Sequence, residues 1–271
     1  MSHAYLAPVI GLVRAAGKVI LPYWRSELAV TEKSDASPVT AADMAAHHLL
    51  VDGLLALDPE IPVLSEEACE LPLAERAQWT RWWLVDPLDG TKEFIAGSEE
   101  FTVNVALIEH GQVVFGVVGI PARAVCYYGG ARLGAWRAGE HAPAEELRVR
   151  HAPAEGFTVV ASRRHTSPAQ EQLLAGLHQR FGGLNLANVG SSLKFCLLAE
   201  AAADCYPRLS PTSQWDTAAA QAVLEGAGGE VLDLSGAVLG YEARETFLNP
   251  SFLALPKDVE WRAELLELAN R

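Results

Sequence analysis

The sequence predicts a mixed fold of helices and strands, and two observations support this. Residues 101–108 alternate well enough for a strand, and a turn at 109–112 leads into a second strand at 113–120. From residue 157 onward, strand-like and helix-like stretches alternate, which is typical of layered α/β proteins. The predicted class is therefore α+β, or layered α/β, with a meander in the first half and α/β layers in the second.

The first half is predicted to open with helices. Residues 4–24 form the first helix, and residues 40–57 form the second, with Thr40 as its N-cap and Asp43 at the capping-box position. The apolar run 82–85 is a buried strand that Pro87 and Gly90 should stop. The antiparallel meander is predicted at 101–108, 113–120, 124–128 and 132–137.

The second half follows a stretch rich in Ala, Gly, Glu, Pro and His at 138–156, which is the best candidate for a domain junction. We therefore expect two halves, 1–150 with the main metal site and 151–271 with the anion-binding site of the substrate and Asp216. Strands are predicted at 157–161, 185–189, 204–206, 230–233 and 252–255. Helices are predicted at 168–181, 191–203, 216–227 and 258–269.

Composition limits the function classes. Half of the 271 residues are apolar and a fifth are charged, which allows a large core. The net charge of −13 argues against a nucleic-acid polymer or an anionic membrane as partner. The four cysteines have no CxxC spacing, which indicates reduced thiols in a cytosolic protein. Arg14 and Lys18 interrupt the apolar N-terminus, so we expect an amphipathic helix, with no signal peptide and no run of transmembrane length.

The segment from Trp82 to Thr91 is the most informative part of the chain. An apolar strand leads into two carboxylates, Asp86 and Asp89, on a tight turn. Such close acids keep ordinary pKa values only if a cation lies between them. The backbone N–H groups of Gly90 and Thr91 can then face an anion. A cation and an anion at one turn indicate metal-assisted phosphate chemistry.

Two further acids extend this pattern. Glu66 follows the apolar run that ends at Ser65, and Asp216 opens a predicted helix. Taken alone, Asp216 is more simply an N-cap, Glu66 a solvated loop charge, and Asp89-Gly90 a turn. Their joint appearance at the ends of elements favours a site, and oxygen-only ligands suit Mg²⁺ better than zinc.

Spacing excludes several rival sites. The two central acids are three residues apart, whereas a haloacid-dehalogenase-type phosphatase needs them two apart. The chain has no GxxxxGK[ST] loop, and an EF-hand would need a longer acidic loop. His47 and His48 are adjacent on a predicted helix, so their side chains diverge and are not expected to be ligands.

Basic and hydroxyl groups at the ends of elements predict an anion site. In the run Asn188–Lys194, a Gly-Ser-Ser turn opens a helix and Lys194 adds positive charge, although an ordinary capped helix explains the turn equally well. The runs 162–165 and 206–208 end two other strands with basic residues. The ends of strands are where an α/β sheet usually places its ligand crevice.

These motifs resemble the lithium-sensitive, magnesium-dependent phosphatase superfamily of inositol monophosphatase. The resemblance spans roughly residues 4–256 and is carried by Glu66, by the run 86–91 and by Trp215-Asp216. The runs 190–196 and 206–208 are similar to its bacterial 3′(2′),5′-bisphosphate nucleotidase branch (CysQ type), and 37–43 and 247–250 also fit. The resemblance implies a layered α/β/α/β/α sandwich.

The resemblance also implies roles for individual residues. Two or three Mg²⁺ ions would be bound by Glu66, Asp86, the Leu88 carbonyl, Asp89 and Asp216. A dyad of Thr91 and Asp43 would orient and deprotonate an attacking water in an in-line displacement. The substrate would contact Glu66, Leu88, Asp89, Gly90, Thr91, Ser162, His165, Ser191, Lys194, Arg208 and Asp216.

The substrate implied by the branch is adenosine 3′,5′-bisphosphate, which loses its 3′-phosphate to give AMP in connection with sulfur assimilation. Ser191, Lys194 and Arg208 would hold the 5′-phosphate, and Ser162 and His165 would line the nucleotide site. Arg164 departs from the family pattern, which often has Ser at this position.

Two alternatives stay open at this point. One is an inositol or sugar monophosphatase of the same superfamily, and the other is a non-catalytic sensor of phosphorylated nucleotides. We expect a cytoplasmic monomer or homodimer with a small-molecule substrate, and peripheral association with the inner membrane stays open.

Overall fold

A computed structural model gives the fold of the chain. It describes residues 3–25, 30–32, 38–153, 156–161 and 168–271, with only the backbone of 30–32 and 38–40. Within these residues the α-helices are α1 (Leu6–Ile20), α2 (Ala41–Leu57), α3 (Leu73–Arg76), α4 (Thr91–Ile95), α5 (Pro168–Phe181), α6 (Leu193–Ala199), α7 (Gln214–Gly226) and α8 (Arg262–Ala269). Short 3-10 helices cover Leu21–Tyr23, Glu66–Ala68 and Pro121–Arg123.

The described strands form two main sheets and one isolated hairpin. The hairpin pairs β1 (Val30–Glu32) with β2 (Pro38–Thr40). The large sheet contains β3 (Val63–Ser65), β4 (Arg81–Asp89), β5 (Thr102–Glu109), β6 (Gln112–Ile120), β7 (Val125–Gly130), β8 (Gly134–Gly139) and β9 (Glu145–Glu146). The smaller sheet contains β10 (Phe157–Ala161), β11 (Leu184–Asn188), β12 (Tyr206–Arg208), β13 (Gly229–Asp233) and β14 (Phe252–Pro256).

The large sheet has seven strands in chain order, from β3 to β9. β3 and β4 are parallel, and every later neighbour pair is antiparallel, which confirms the predicted meander. His110 (φ 50°) and Gly111 (φ 74°) make the tight turn between β5 and β6, and two positive φ angles in sequence are what a two-residue hairpin needs.

The smaller sheet is assembled from two groups of strands. β10 and β11 are parallel, and β12, β14 and β13 are antiparallel in that order. A parallel bridge between Val159 and Cys205 joins the two groups, because Cys205 directly precedes β12. The order across the sheet is thus β11-β10-β12-β14-β13.

Alternating side chains divide the molecule into five layers. On β4, Trp83 and Val85 pack against α1 and α2, whereas Trp82 and Leu84 face the core that contains α6 and α7. β14 repeats the pattern on the small sheet, since its even positions face α6 and α7 and its odd positions face α5 and α8. This is the two-residue period of a strand that is buried on both faces. The result is the predicted α/β/α/β/α sandwich.

Helix α7 lies unusually close to the large sheet. A Cβ placed on Gly116 of β6 would lie 2.2 Å from the carbonyl oxygen of Ala219 on α7, so only glycine fits there. Val149 of the first half donates to the carbonyl of Ala227, just after α7. The division of the chain at residues 150 and 151 stays a prediction.

Three sequence expectations need correction. β4 does not stop at Pro87 but continues to Asp89, with an irregular register between Asp86 and Asp89. The helix expected at 191–203 covers only Leu193–Ala199. It ends there because Ala201 adopts a positive φ of 62°, which is incompatible with a continuing right-handed helix.

The third correction concerns the N-terminus. The segment Leu6–Tyr23 has 18 residues with a mean hydropathy of 1.4, so one helical run does reach transmembrane length and composition. Its residues Val9, Val13 and Ile20 are nevertheless buried in the core beneath the large sheet. The four cysteines are all free thiols, as predicted.

Candidate functional site

The end of β4 places two carboxylates at one edge of the large sheet. Asp86 lies opposite Asn104 on β5, and Asp89 lies opposite Thr102, so one extra residue bulges out between them. The side chain of Asp86 accepts a 3.1 Å hydrogen bond from the backbone N–H of Leu88. Gly90 then turns the chain with a φ of 87° into α4. The bulge and the turn therefore fix both acids at the strand end.

Glu66 and Asp216 approach the same place from other elements. Glu66 directly follows β3, the parallel neighbour of β4. Asp216 lies in the first turn of α7, where its carboxylate accepts a 2.9 Å hydrogen bond from the backbone N–H of Ser213. The isolated interpretation of Asp216 as an N-cap is wrong, because Ser213 is the N-cap and Asp216 completes the capping box from the third helical position.

The charges of these acids act on one another. Burial raises the pKa of Asp86 well above its usual range, and the charges of Glu66, Asp89, Asp216 and Asp43 raise it further. Burial, followed by the charges of Asp89 and Glu66, raises the pKa of Asp216 to about 8. Acids that are far apart in the sequence therefore act on one another's pKa in the folded chain.

The donor set has the chemistry of a magnesium site. Carboxylate oxygens that repel one another are stabilised by a divalent cation, and oxygen donors are those that Mg²⁺ prefers. Within the described residues, no three His, Cys, Asp or Glu side chains already have the geometry to hold a metal ion. The acids thus interact through their charges without converging on one point, which is consistent with their repulsion.

A pocket of about 140 Å³ joins two of these acids to the predicted anion site. It is lined by Asp89 and Asp216 together with Ser191, Lys194 and Arg208. Lys92, Glu93, Thr212 and Tyr206 also line it. The sequence reasoning missed Lys92, Glu93 and Thr212, although Lys92 directly follows the motif run 86–91. Tyr206 belongs to the motif run 206–208 but was given no role of its own.

Lys194 is buried in this pocket with 7% of its surface exposed. Its ammonium group donates a 2.9 Å hydrogen bond to the carbonyl of Ser191. Burial lowers the pKa of Lys194, and the nearby charge of Asp89 opposes this shift. Because Lys194 donates this bond to a neutral carbonyl, its buried ammonium group is well placed to bind an anion.

The guanidinium of Arg208 is anchored to its own loop. Its nitrogens donate to the carbonyls of Ser210 and Pro211 at 3.1 and 3.0 Å. The hydroxyl oxygen of Ser191 is buried without a hydrogen-bond partner among the described residues, and Ser191 holds a positive φ of 46°. A buried hydroxyl of this kind and two cations around one space constitute an anion-binding surface.

The predicted catalytic dyad is only partly visible in the contacts. The Thr91 hydroxyl donates a 3.1 Å hydrogen bond to the carbonyl of Leu88, the backbone oxygen predicted to bind metal. Asp43 is buried in the first turn of α2 and raises the pKa of Asp86. The pairing of Thr91 with Asp43 stays a prediction.

Two predicted nucleotide contacts lie outside the described residues. Ser162 and His165, and Arg164 between them, belong to the stretch 162–167, and the cap residue Thr40 has no described side chain. Their roles stay predictions. Neither His47 nor His48 lines the pocket. Their side chains do not diverge as expected, because the two rings lie 5.3 Å apart. His47 shares a 2.8 Å hydrogen bond with the Ser65 hydroxyl, which accounts for its burial.

The fold and this site define a layered α/β protein in which a cluster of acids adjoins a cationic pocket. The sequence model of the inositol monophosphatase family matches residues 2–269, and the chain belongs to this family.

Curated relatives agree with this assignment. The chain is 48% identical over 250 residues to the 3′(2′),5′-bisphosphate nucleotidase CysQ of Salmonella typhimurium, covering 91% of this chain and 98% of the relative. It is 47% identical over the same length to the enzyme of that name from Escherichia coli strain K12, with the same coverage.

Solved structures agree as well. The crystal structure of CysQ from Bacteroides thetaiotaomicron superposes with a TM-score of 0.82 at 37% identity, covering 93% of this chain and 96% of that one. An inositol monophosphatase from Thermotoga maritima superposes with a TM-score of 0.76 at 24% identity, covering 96% and 94%. This second likeness supports the fold alone.

Proposed function

We propose that this chain is a magnesium-dependent 3′(2′),5′-bisphosphate nucleotidase that converts adenosine 3′,5′-bisphosphate to AMP and phosphate. One observation carries the proposal: Asp89 and Asp216 line the same pocket as Ser191, Lys194 and Arg208. The carboxylates can bind metal ions beside the phosphate that is cleaved. The basic side chains can bind a second phosphate. The names of the curated relatives support the same activity.

In this proposal Glu66, Asp86, Asp89, Asp216 and the Leu88 carbonyl hold two or three Mg²⁺ ions. When bound, Mg²⁺ makes water a stronger nucleophile at neutral pH and screens the charge of the phosphate. In the proposed dyad the attacking water gives its proton to the Thr91 hydroxyl oxygen while Thr91 passes its own proton to the Asp43 carboxylate. The Thr91 hydroxyl donates to the Leu88 carbonyl here, so it would turn from that carbonyl to Asp43 for this transfer. The amides of Gly90 and Thr91 bind phosphate oxygens.

The second phosphate distinguishes this substrate from monophosphates. Lys194 is buried, so its charge is screened less by solvent than that of a surface lysine. A 5′-phosphate bound by Lys194, Ser191 and Arg208 would place the 3′-phosphate at the acids. Ser162 and His165 are proposed to contact the nucleoside. We also propose that the enzyme is cytoplasmic, in a role linked to sulfur assimilation.

A phosphate-release panel tests the proposal. Purified protein in Mg²⁺ would receive adenosine 3′,5′-bisphosphate, inositol 1-phosphate or AMP at matched concentrations, with and without Li⁺. We expect release from the bisphosphate at a kcat/KM at least ~10-fold above the others, with inhibition by Li⁺. Preference for inositol 1-phosphate would replace the proposed substrate, and tight nucleotide binding without release from any compound would indicate a sensor.

A further inference from the structure

Ser192 lies directly before α6, as its N-cap, and contacts the helix that carries Asp216. Its hydroxyl donates a 2.7 Å hydrogen bond to the backbone carbonyl of Asp216 on α7. Ser192 is almost fully buried, with 2% of its surface exposed. One residue therefore links the start of α6 to the start of α7.

Asn104 determines the direction in which the Ser192 hydroxyl donates its proton. The Asn104 side-chain N–H donates a 3.0 Å hydrogen bond to the Ser192 oxygen. A serine hydroxyl has a single proton. Because the Asp216 carbonyl can only accept, that proton must point to α7 whenever this bond forms, and Ser192 must accept from Asn104. The amide orientation of Asn104 follows from the same requirement.

Asn104 is paired across the sheet with one of the acids. It is the residue opposite Asp86 on β5, and 1% of its surface is exposed. Its side-chain oxygen is buried without a hydrogen-bond partner among the described residues. Such an atom costs ~1–3 kcal/mol. An apolar residue at position 104 would avoid that cost. The hydrogen bond that the Asn104 side-chain N–H donates to Ser192 is the interaction that offsets it.

We propose that Ser192 and Asn104 are positioning residues of the acidic cluster: Ser192 fixes the backbone of Asp216 at the start of α7, and Asn104, which lies opposite Asp86, fixes the direction of the Ser192 hydroxyl. Neither residue is among the predicted ligands. The inference rests on the metal dependence in the proposed function but not on the identity of its substrate. Groups that orient ligands typically change metal affinity or activity by ~10–100-fold when removed.

Thermal unfolding of metal-free protein titrated with Mg²⁺ tests the proposal without any substrate. In Ser192→Ala we expect the half-saturating Mg²⁺ concentration to rise ~10-fold or more, and Ser192→Thr should restore much of the affinity because it keeps the hydroxyl. Activity at saturating Mg²⁺ should fall in kcat, whereas the substrate KM stays within ~3-fold. A changed KM with an unchanged Mg²⁺ requirement would assign Ser192 to substrate binding and overturn the proposal.

Asn104 provides a second test. Asn104→Ala should shift the Mg²⁺ midpoint in the same direction, and this single variant is informative even if Ser192→Ala does not fold. Where Ser192→Ala folds, Asn104→Ala should add little in that background because it acts through Ser192. An unchanged midpoint or fully additive effects would overturn the linkage. Arg150→Leu is the control, since it removes a group that bonds Asp204 and Ala201 rather than the pocket residues. It should lower the unfolding temperature and leave the Mg²⁺ midpoint unchanged.

The substrate assay and the Mg²⁺ titration can fail independently of each other. If the wild-type protein binds Mg²⁺ but releases no phosphate from the bisphosphate, the proposed substrate is wrong and the Mg²⁺ midpoints still decide the role of Ser192.

Discussion

Lys194 and Asp89 share one pocket, and each changes the protonation of the other. The charge of Lys194 counters the rise that burial causes in the pKa of Asp89, and Asp89 in turn counters the lowering of the pKa of Lys194. The cationic and acidic halves of the pocket are thus electrostatically connected. This relation makes Lys194 the sharpest test of the second phosphate site.

Replacing Lys194 with Met should weaken binding of the bisphosphate selectively. A lost charge-assisted hydrogen bond is worth ~1.5–3 kcal/mol, which corresponds to a KM increase of roughly 10–100-fold. Activity on a monophosphate should change much less. Steady-state kinetics on both substrates measures the difference, with Lys18→Met as control because Lys18 pairs with the exposed Glu140 and does not line the pocket. Equal losses on both substrates would contradict a second phosphate site.

Asp86→Asn should abolish turnover while stabilising the metal-free fold. The substitution removes a buried charge whose pKa is raised by burial and by four neighbouring acids, so apo protein should unfold at a higher temperature. Activity should fall ~10³-fold or more, because metal ions supply several kcal/mol of transition-state stabilisation. Calorimetry and phosphate release measure the two effects. Asp58→Asn is the control, since Asp58 bonds Tyr5 outside the cluster, and near-normal activity of Asp86→Asn would refute its ligand role.

Stability of the metal-free protein should fall as pH rises from about 4 to about 8. Asp216 has a pKa of about 8 in the folded chain against 3.8 as its model value, so the folded state holds more protons than the unfolded state in this window. Its stabilisation is present at low pH and is lost as pH passes the folded pKa. Saturating Mg²⁺ should reverse the trend, because protons compete with the metal.

Unfolding scans at pH 5, 6, 7 and 8, in chelator and in Mg²⁺, measure this dependence. The gain in unfolding temperature from Mg²⁺ should be smallest at pH 5 and largest at pH 8. A gain that does not vary with pH would mean that these carboxyl groups do not titrate against the metal.

Arg150→Leu should destabilise the fold without changing the chemistry. Arg150 binds Asp204 through two nitrogens at 2.8 and 2.6 Å, and Asp204 also accepts from the backbone of Thr158. Removing the arginine leaves a carboxylate with a 2% exposed side chain, at a cost of ~3 kcal/mol or more and roughly 5–10 °C in Tm.

The exposed pair of Arg180 and Glu264 provides the matched control for this substitution. Arg180→Leu should cost less than ~1 kcal/mol. The kcat of folded Arg150→Leu should equal that of the wild type. A loss of kcat without a loss of stability would instead connect Arg150 to the active site.

The sequence was sufficient for features that depend on local patterns. The meander, the helix at 168–181 and the turn before β6 were predicted because hydrophobic period and turn residues act within a few positions. The acids were predicted as a group because each lies at the end of an element.

Features that depend on distant contacts were missed. β4 continues through Pro87 because pairing with β5 outweighs the breaker, and Asp216 lies three residues inside its helix because Ser213 takes the cap. The role of Ser192 has no local signal, since its partners Asn104 and Asp216 lie 88 and 24 residues away. Its hydroxyl resembles any other in a Gly-Ser-Ser turn.

The acids and the anion-binding groups belong to different classes of position in the chain. Asp86 and Asp89 are set by the pairing of two strands of the large sheet, whereas Ser191 and Arg208 come from a loop before a short helix and from a three-residue strand. Selection can therefore vary Ser191 and Arg208 while the strand pairing that sets the acids is kept. Such a division would let related proteins keep one reaction while they diverge in the molecules they accept.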